Sequence, residues 1–197
     1  MLELAALRRV LANRRNPPAE GTGLRRAAVL VPLTGGAAGP RVLLVRRSAT
    51  LHLHGGQIAF PGGTWEPTDA DLLATALREA EEEISLRRAD VEVLGALSDA
   101  VTATSRFCIR PFVAWVRPGT ELAPHPAEVE AILPVSLALL REPANFREEQ
   151  WERDGRTFPV YFYRAGTEVI WGATARILRE LLDLLFAPGP AGGREGQ

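Results

Sequence analysis

The chain has few of the side chains on which disulfide-linked and zinc-stabilised proteins depend. Its 197 residues include one cysteine and three histidines. A single cysteine cannot form an intramolecular disulfide, and so few sulfur and imidazole ligands leave a zinc site incomplete. We therefore expect Cys108, which lies in an apolar run, to be a core thiol in a protein of a reducing compartment.

An excess of charge of one sign and a long apolar run are also missing. The 23 basic side chains, all of them arginine, are interspersed with 24 acidic ones, and the formal net charge is −1. This balance leaves no basic stripe for nucleic acid and no polybasic segment for a membrane surface. No run approaches the roughly 18 apolar residues of a membrane span, and the first residues lack the plan of a signal peptide. We expect a cytoplasmic protein that binds neither nucleic acid nor membranes.

The composition is that of a globular protein. Hydrophobic residues make up 46% of the chain and charged residues 24%. A chain of this length and composition suits one domain, and no stretch resembles a linker or an internal repeat. We expect a single domain over residues 1–186, followed by a disordered tail rich in glycine and proline at 187–197.

Short runs rich in valine, isoleucine and leucine alternate with helical patterns along this domain. The runs at 27–33 and 41–46 predict a β-hairpin. The next segment predicts a helix. Thr68 or Asp69 would be its N-cap, and the helix would end near Ser85. Further helices are predicted at 2–12, from Ser136 and at 173–186, and further strands at 57–60, 91–98, 110–117, 128–133, 158–164 and 167–171. Helices interspersed with many short strands indicate an α/β fold in which a mixed β-sheet is sandwiched between α-helices.

One predicted helix carries an unusual concentration of acidic side chains. Residues 76–86 read ALREAEEEISL. At about 100° per residue, Glu79, Glu82 and Glu83 share one edge of the helix, whereas Glu81 lies on another side. Like charges at this spacing repel, and a divalent cation such as Mg²⁺, which prefers carboxylate oxygens, would reverse that cost. For this run alone a solvated glutamate-rich surface is the alternative interpretation.

A glycine-rich segment precedes this helix and favours the metal-binding interpretation. Residues 55–63 read GGQIAFPGG, a glycine pair, a short strand and a Pro-Gly-Gly turn. Glycines allow a backbone to approach phosphates closely. The turn alone is weak support for a binding site, but its combination with the acidic helix downstream is far more specific.

Together these segments resemble the box of the Nudix hydrolases, which runs G, five residues, E, seven residues, then R-E-U-x-E-E-x-G-U with U aliphatic. The matching residues are Arg78, Glu79, Ala80, Glu82, Glu83 and Leu86. The chain departs from the pattern in two ways. Ser85 stands where the box has its last glycine, and the stretch after Gly63 is one residue longer, so that by residue count neither Glu66 nor Asp69 takes the place of the first glutamate.

A second motif is similar to that of the coenzyme A pyrophosphatases, which reads L-L-T-x-R-[S/A], three residues, R, three residues, G, three residues, F-P-G-G. The residues in register are Leu43, Leu44, Arg47, Ser48, Gly56, Phe60, Pro61, Gly62 and Gly63. Val45 replaces the threonine and His52 replaces the second arginine. The stretch WGATAR at 171–176 also resembles the start of that family's C-terminal helix.

The resemblance implies a Nudix fold and hydrolysis of the diphosphate of coenzyme A to 3′,5′-ADP and 4′-phosphopantetheine with Mg²⁺ or Mn²⁺. It implies Glu79 and Glu83 as the main metal ligands and Glu82 as a further ligand or a base that orients water. Arg78 is then the ion-pair partner that aims the carboxylates. The substrate-binding residues that it implies are Arg47, His52, Gly56, Phe60, Gly62 and Gly63.

Several alternatives remain open at the level of sequence. Val45 and His52 leave room for another nucleoside diphosphate derivative such as ADP-ribose, and a non-catalytic nucleotide-binding module could share the fold. An additional acid, Glu128 or Glu130, could act as catalytic base. The N-terminal helix and the aromatic strands near residue 160 could form a homodimer.

Other residues have ordinary alternatives as well. The loop with Asp99, Thr102, Ser105 and Arg106 could contact substrate or be a plain connection. Six aromatic residues are expected mostly in the core or an interface, although one could stack on adenine. They are Trp115, Trp151, Trp171, Tyr161, Tyr163 and Phe162.

Overall fold

The structure is a computed structural model, and it describes residues 4–12, 14, 23–51, 54–102, 106–153 and 155–186. In these ranges the strands are β1 (Arg25–Thr34), β2 (Arg41–Arg47), β3 (Ile58–Ala59), β4 (Gly62–Thr64), β5 (Val91–Ala96), β6 (Ala100–Val101), β7 (Phe107–Val116), β8 (Val129–Ser136), β9 (Phe146–Arg153), β10 (Arg156–Ala165) and β11 (Glu168–Trp171). The helices are α1 (Leu4–Ala12), α2 (Leu72–Ile84), α3 (Leu137–Arg141) and α4 (Gly172–Phe186). The predicted tail at 187–197 lies outside the described residues.

Two sheets make up the β-structure. The larger has eight strands, and its main path is β3-β2-β1-β7-β5, with β4 paired to β1, β6 to β7 and β8 to β2. The pairing of β1 with β7 is parallel and the others are antiparallel, so the sheet is mixed. The second sheet has three strands in the order β11-β10-β9. The predicted hairpin of β1 and β2 is confirmed, with Leu33 opposite Val42.

Apolar side chains of the central strands point alternately to the two faces of the larger sheet, and each face therefore has its own hydrophobic core. On β1, Ala28 and Leu30 pack with α2, whereas Val31 and Leu33 pack with α1 and α4. Residues 42 to 45 of β2 divide between the faces in the same way. Helices therefore cover both faces, and the predicted α/β sandwich is confirmed.

Helix α2, which carries the acidic run, begins and ends through local contacts. Asp71 is its N-cap and accepts a hydrogen bond from Ala74 N at 2.8 Å, so the prediction that Thr68 or Asp69 caps the helix is wrong. The predicted end near Ser85 is confirmed, since Ser85 is the C-cap with φ of 57°. A positive φ is the conformation for which glycine is preferred at a helix end, which explains the glycine in the motif.

Three strands were not predicted, and the largest is β9. Its sequence, FREEQWER, alternates charged residues with few apolar ones, and most of its residues are exposed. The other two, β4 and β6, are only three and two residues long. Cys108 is half-buried instead of lying in the core, and its Sγ lies 3.5 Å from Asp99 Oδ2. Within the part of the chain that the structure describes, no helix is both long and apolar enough to cross a membrane.

Candidate active site

Strand β4 brings two glycines between strand β1 and helix α2. A Cβ on Gly62 would lie less than 3.0 Å from the carbonyl oxygen of Ala28 on the paired strand. A Cβ on Gly63 would lie equally close to the carboxylate of Glu79. Both positions therefore require glycine, and at Gly63 the missing side chain leaves the space that the carboxylate occupies.

Glu83 is the most deeply buried carboxylate of α2, with 1% of its surface exposed. Its Oε2 accepts a hydrogen bond from Gly62 N at 3.1 Å, and its Oε1 lies 3.2 Å from Arg47 Nη1. Burial raises the pKa of Glu83 to about 7, and the arginine and the amide only partly oppose this shift. The structure therefore holds an acidic oxygen pair where water is scarce and an additional cation would stabilise its charge.

Glu79 and Glu82 differ in their exposure. The Glu79 side chain is 15% exposed and Glu82 is 55% exposed, and each places an oxygen 3.0 Å from Arg78 Nη1. Burial also raises the pKa of Glu79. The predicted acidic edge thus consists of the buried Glu83 and the partly buried Glu79, with Glu82 at its rim. Glu81 is exposed on another side, as predicted.

Asp69 holds Arg78 in place. Asp69 Oδ1 lies 2.9 Å from Arg78 Nε, and Asp69 Oδ2 accepts from Arg78 Nη2 at 3.1 Å and from Thr75 Oγ1 at 2.9 Å. The hydrogen bonds to Asp69 lower its pKa to about 2, and those from Arg78 have the largest effect. Counted back from Arg78, Asp69 lies one residue away from the place of the motif's first glutamate, but its two-pronged contact makes it the acid that orients Arg78.

Arg47 lies where strand β2 is interrupted. The pairing of β2 with β8 shifts register between Arg46 and Arg47, which is a β-bulge. The Nη1 of Arg47 contacts Glu83, whereas the buried Nε of Arg47 has no hydrogen-bond partner in the described residues. A buried N–H donor without a partner is costly, so this group is suited to an acceptor that a ligand would bring.

A cavity of about 630 Å³ opens beside these residues. Arg47, Phe60, Gly62 and Gly63 contribute to its lining, whereas none of the glutamates of α2 does. The carboxylates lie beyond the glycine pair, so the cavity and the acidic edge meet at Arg47 and these two glycines. Phe60 is 2% exposed and belongs to the core as well as to the cavity wall.

Two further residues, Gly56 and His52, were predicted to bind substrate. Gly56 does not line the cavity. Gly56 has φ of 73° and serves a turn in which its N–H donates to the carbonyl of Arg47 at 3.0 Å. His52 lies outside the described residues, whereas His54 lines the cavity and its Nδ1 lies 2.9 Å from Gln57 Oε1.

The structure distinguishes the two candidate bases. Glu128 is close enough to Glu79 and Glu83 for its charge to contribute to raising the pKa of each. Its carbonyl accepts from Ser48 N at 2.8 Å, which fastens it beside β2. Glu130 instead forms an ion pair with Arg46 at 3.0 Å. Sequence spacing alone could not show which acid lies near the acidic edge, because Glu128 and Glu130 are two residues apart at the start of β8.

The polar loop residues are mostly occupied by structural contacts. Asp99 forms an ion pair with Arg110, and its side chain is 4% exposed. The amide of Phe107 donates to Thr102 Oγ1 at 2.9 Å, and Thr102 also lines the cavity. Ser105 lies outside the described residues. The loop is therefore largely a connection, with Thr102 as its contribution to the cavity.

The donor types fit a hard divalent cation, although their arrangement is not that of a closed metal site. Among the described residues, no three acidic, histidine or cysteine side chains are arranged to hold a metal ion together. Glu79 and Glu83 nevertheless supply desolvated carboxylate oxygens next to the glycine pair. Mg²⁺ commonly uses one or two carboxylates together with water and substrate phosphates, and this pair meets that requirement.

Two known proteins are similar to this chain in sequence. The chain is 41% identical over 157 residues to the uncharacterized Nudix hydrolase NudL of Photorhabdus laumondii, covering 80% of this chain and 83% of that protein. It is 38% identical over 176 residues to Nudix hydrolase 22, chloroplastic, of Arabidopsis thaliana, covering 85% of this chain and 57% of that protein.

A solved structure is similar at the level of fold. A MutT/nudix family protein from Enterococcus faecalis has a TM-score of 0.53 at 16% identity, covering 90% of this chain and 68% of that one. Residues 24–155 match the NUDIX domain family, and this stretch contains the glycine pair, Arg78 and all the carboxylates of the acidic edge. The chain therefore belongs to the Nudix family and is a Nudix hydrolase, an enzyme acting on pyrophosphate bonds.

Proposed function

We propose that this Nudix hydrolase cleaves the diphosphate of coenzyme A and its derivatives, giving 3′,5′-ADP and 4′-phosphopantetheine. The proposal joins the coenzyme A motif of the sequence to the position of its arginine. Arg47 lines the cavity and also lies 3.2 Å from Glu83, so one side chain connects the cavity with the acidic edge. This observation carries the proposal, because a diphosphate bound beside Arg47 would lie next to the proposed metal ligands.

Glu79 and Glu83 are the proposed ligands of Mg²⁺ or Mn²⁺, with Glu82 as an outer ligand or a group that orients water. Bound there, the cation would neutralise phosphate oxygens and lower the pKa of the attacking water. Arg78, fixed by Asp69, aims Glu79 and Glu82 through its ion pairs with both. The exposed position of Glu82 is compatible with a role toward water instead of direct ligation.

The reaction itself adds one water molecule across the diphosphate. The water oxygen forms a bond to one phosphorus, and the bond from that phosphorus to the bridging oxygen breaks. The bridging oxygen leaves with the other phosphate and carries its negative charge. The proposed acceptor of the water proton is Glu128, and the proposed donor to a phosphate oxygen is the unpaired Nε of Arg47.

The two substitutions in the motif have unequal weight. Val45, which replaces a threonine, is fully buried in the core beneath α2 and has no surface that could meet a substrate. It therefore gives little support to a different substrate. The exchange at His52 remains the sequence feature that could weaken coenzyme A binding, since histidine is a shorter and pH-dependent donor.

A substrate panel tests the proposal. The protein is incubated with Mg²⁺ or Mn²⁺ and with coenzyme A, acyl derivatives, ADP-ribose or dinucleotides, and the products are identified by mass. We expect 4′-phosphopantetheine, or its acyl form, and 3′,5′-ADP as the dominant products. Faster cleavage of ADP-ribose would overturn the substrate assignment, and no cleavage with any metal and substrate would indicate a binding module.

A further inference from the structure

Two of the four tryptophans are exposed on the rim of the cavity. Trp151 on β9 is 42% exposed and Trp171 on β11 is 40% exposed, and both line the cavity that Arg47 and the glycine pair also line. Water contact of two indole rings is unfavourable, because large apolar side chains are normally buried. Their position on a concave wall indicates that a ligand covers them.

The rings are held by a sheet that gives them a defined orientation. Their centroids are 6.1 Å apart with 43° between the planes. Phe162 on the intervening strand β10 lies opposite Trp171, nearly parallel to it at 6.4 Å, and lies 6.2 Å from Trp151. The guanidinium of Arg147 lies 4.7 Å from the centre of the Phe162 ring. The aromatic residues therefore support each other, and the exposed indole surfaces are preorganised.

The two indoles and the glycine pair of the proposed reaction site line the same cavity, and β3 connects them. Strand β11, which ends at Trp171, lies beside β3 (Ile58–Ala59). Three residues lead from Ala59 to Gly62, so the chain between them spans at most about 10 Å when extended. A nucleotide whose phosphate lies at the glycine pair can therefore extend along this wall toward Trp171. The exposed Arg176, one turn into α4, also lines the cavity and adds a cation near Trp171.

We propose that Trp151 and Trp171 form the subsite for the purine ring of the substrate, so that this enzyme selects diphosphates that carry a purine nucleotide. The inference deepens the proposed function and rests on it for the position of the diphosphate. Flat aromatic ligands gain from stacking beyond the area that they bury, and an alkyl chain does not. Stacking is also compatible with rings that stay partly exposed, as both indoles are.

Paired substitutions separate stacking from simple apolar contact. Trp151→Leu and Trp171→Leu keep apolar volume and remove the flat ring, whereas Trp151→Phe and Trp171→Phe keep a ring. Binding of 3′,5′-ADP and, separately, of 4′-phosphopantetheine is measured by calorimetry without metal. We expect each leucine variant to weaken 3′,5′-ADP binding roughly 5- to 100-fold, as a lost base stack predicts, and each phenylalanine variant to restore most of it. Binding of 4′-phosphopantetheine should stay within about twofold of wild type, because it has no purine ring to stack.

A control residue and a second readout complete the test. Val169 is 52% exposed on β11 and does not line the cavity, so Val169→Ala should bind 3′,5′-ADP like wild type. Stacked purine should also quench tryptophan fluorescence in wild type and less in the leucine variants. Circular dichroism confirms that each variant is folded.

Three results would overturn the inference. They are unchanged 3′,5′-ADP binding in both leucine variants, a selective loss of 4′-phosphopantetheine binding, and a wild-type dimer that these substitutions dissociate while nucleotide binding is retained. The outcomes are independent of the reaction assay. If ADP-ribose were cleaved instead of coenzyme A but the leucine variants still lost nucleotide binding, the proposed substrate would be wrong and the purine subsite would stand.

Discussion

At the scale of single residues, Glu83 has an environment far from that of a surface carboxylate. It is 1% exposed, and burial raises its pKa to about 7. A buried carboxylate costs stability that a neutral side chain of similar shape would avoid, so its presence in the core indicates a function. A variant with glutamine at this position should therefore fold, and the consequence of the exchange should appear in turnover.

We predict that Glu83→Gln lowers kcat about 10²- to 10³-fold, as for loss of one group that stabilises charge in a transition state. The melting temperature should fall by no more than about 3 °C, roughly 1 kcal/mol, since the amide oxygen can still accept from Gly62 N. Steady-state kinetics with saturating Mg²⁺ and thermal unfolding measure the two effects. Glu81→Gln, at an exposed position of the same helix, is the control and should leave both unchanged. Wild-type turnover of the Glu83 variant would remove this carboxylate from the catalytic site.

Ser85 has a left-handed backbone conformation, which is strained for a residue with a side chain. It ends α2 with φ of 57°, and its Oγ donates to the carbonyl of Ala123 at 3.2 Å. We predict that Ser85→Gly raises the free energy of unfolding by about 0.5–1 kcal/mol, because a positive φ costs glycine little. Ser85→Ala keeps the strain and loses the hydroxyl, so urea unfolding should find it less stable than wild type. Equal stability of the glycine and alanine variants would show that the backbone is not strained.

At the scale of elements, the entrance to α2 depends on a carboxylate outside the helix. Asp69 bonds Arg78, Thr75 Oγ1 and the amide of Glu66 and is 8% exposed, so it fixes both the loop and the helix. Its pKa is lowered to about 2 in the fold, against about 3.9 for an unfolded chain. Stability from this group is therefore fully present above about pH 4 and is lost as the pH falls toward 2.

We predict that Asp69→Asn lowers the free energy of unfolding by about 1–3 kcal/mol at pH 7, because Arg78 then lacks its carboxylate partner. The difference between wild type and variant should shrink as the pH falls from about 4 to 2, where the wild-type acid itself becomes protonated. Urea unfolding of both proteins at a series of pH values measures this difference, in which contributions of the other carboxylates cancel. A difference that is constant down to pH 2 would contradict the role of the Asp69 charge.

The elements that the sequence predicts well are those with a clear period. The apolar repeat of α2 and the runs of β1 and β2 are local signals, and the structure confirms them. Strand β9 has no such signal, because it is an exposed strand stabilised by pairing with β10 along its whole length. The role of Asp69 was equally hidden, since counting residues along a loop does not give the path by which the loop folds back on Arg78.

At the scale of the whole molecule, side chains far apart in sequence join the two sheets. Arg46 on β2 contacts Glu130 on β8 and Glu168 on β11, and so fastens the smaller sheet to the larger one. This contact helps to set Trp171 beside β3, on the cavity that the glycine pair also lines. The motifs predicted the acidic edge and Arg47, but the aromatic rim depends on pairing across strands that no local pattern reveals.

Besides its apolar packing, helix α4 contacts the rest of the fold through a partly buried carboxylate, Glu180. Glu180 Oε1 accepts from Arg14 Nη2 at 2.7 Å, from Ser98 Oγ at 2.9 Å and from Ser98 N at 3.1 Å. It thereby connects α4 with Arg14, shortly after α1, and with Ser98, shortly after β5. These three donors are partly buried. Arg14 Nη2 also lies 3.2 Å from Ser98 Oγ, so removal of the carboxylate would leave Ser98 N without this acceptor and Arg14 without its charged partner.

We predict that Glu180→Ala lowers the free energy of unfolding by about 1–3 kcal/mol, whereas Glu180→Gln, which keeps an acceptor oxygen, loses less. Asp183→Ala on the same helix is the matched control. Asp183 forms an exposed ion pair with Arg179 at 3.0 Å, and such a pair contributes about 0–1 kcal/mol. Urea unfolding of the four proteins ranks them, and a loss in the Asp183 variant equal to that of Glu180→Ala would contradict the prediction. Because the acidic edge lies on the opposite face of the sheet, Glu180→Ala should retain wild-type kcat at temperatures where it is folded, which separates its stabilising role from catalysis.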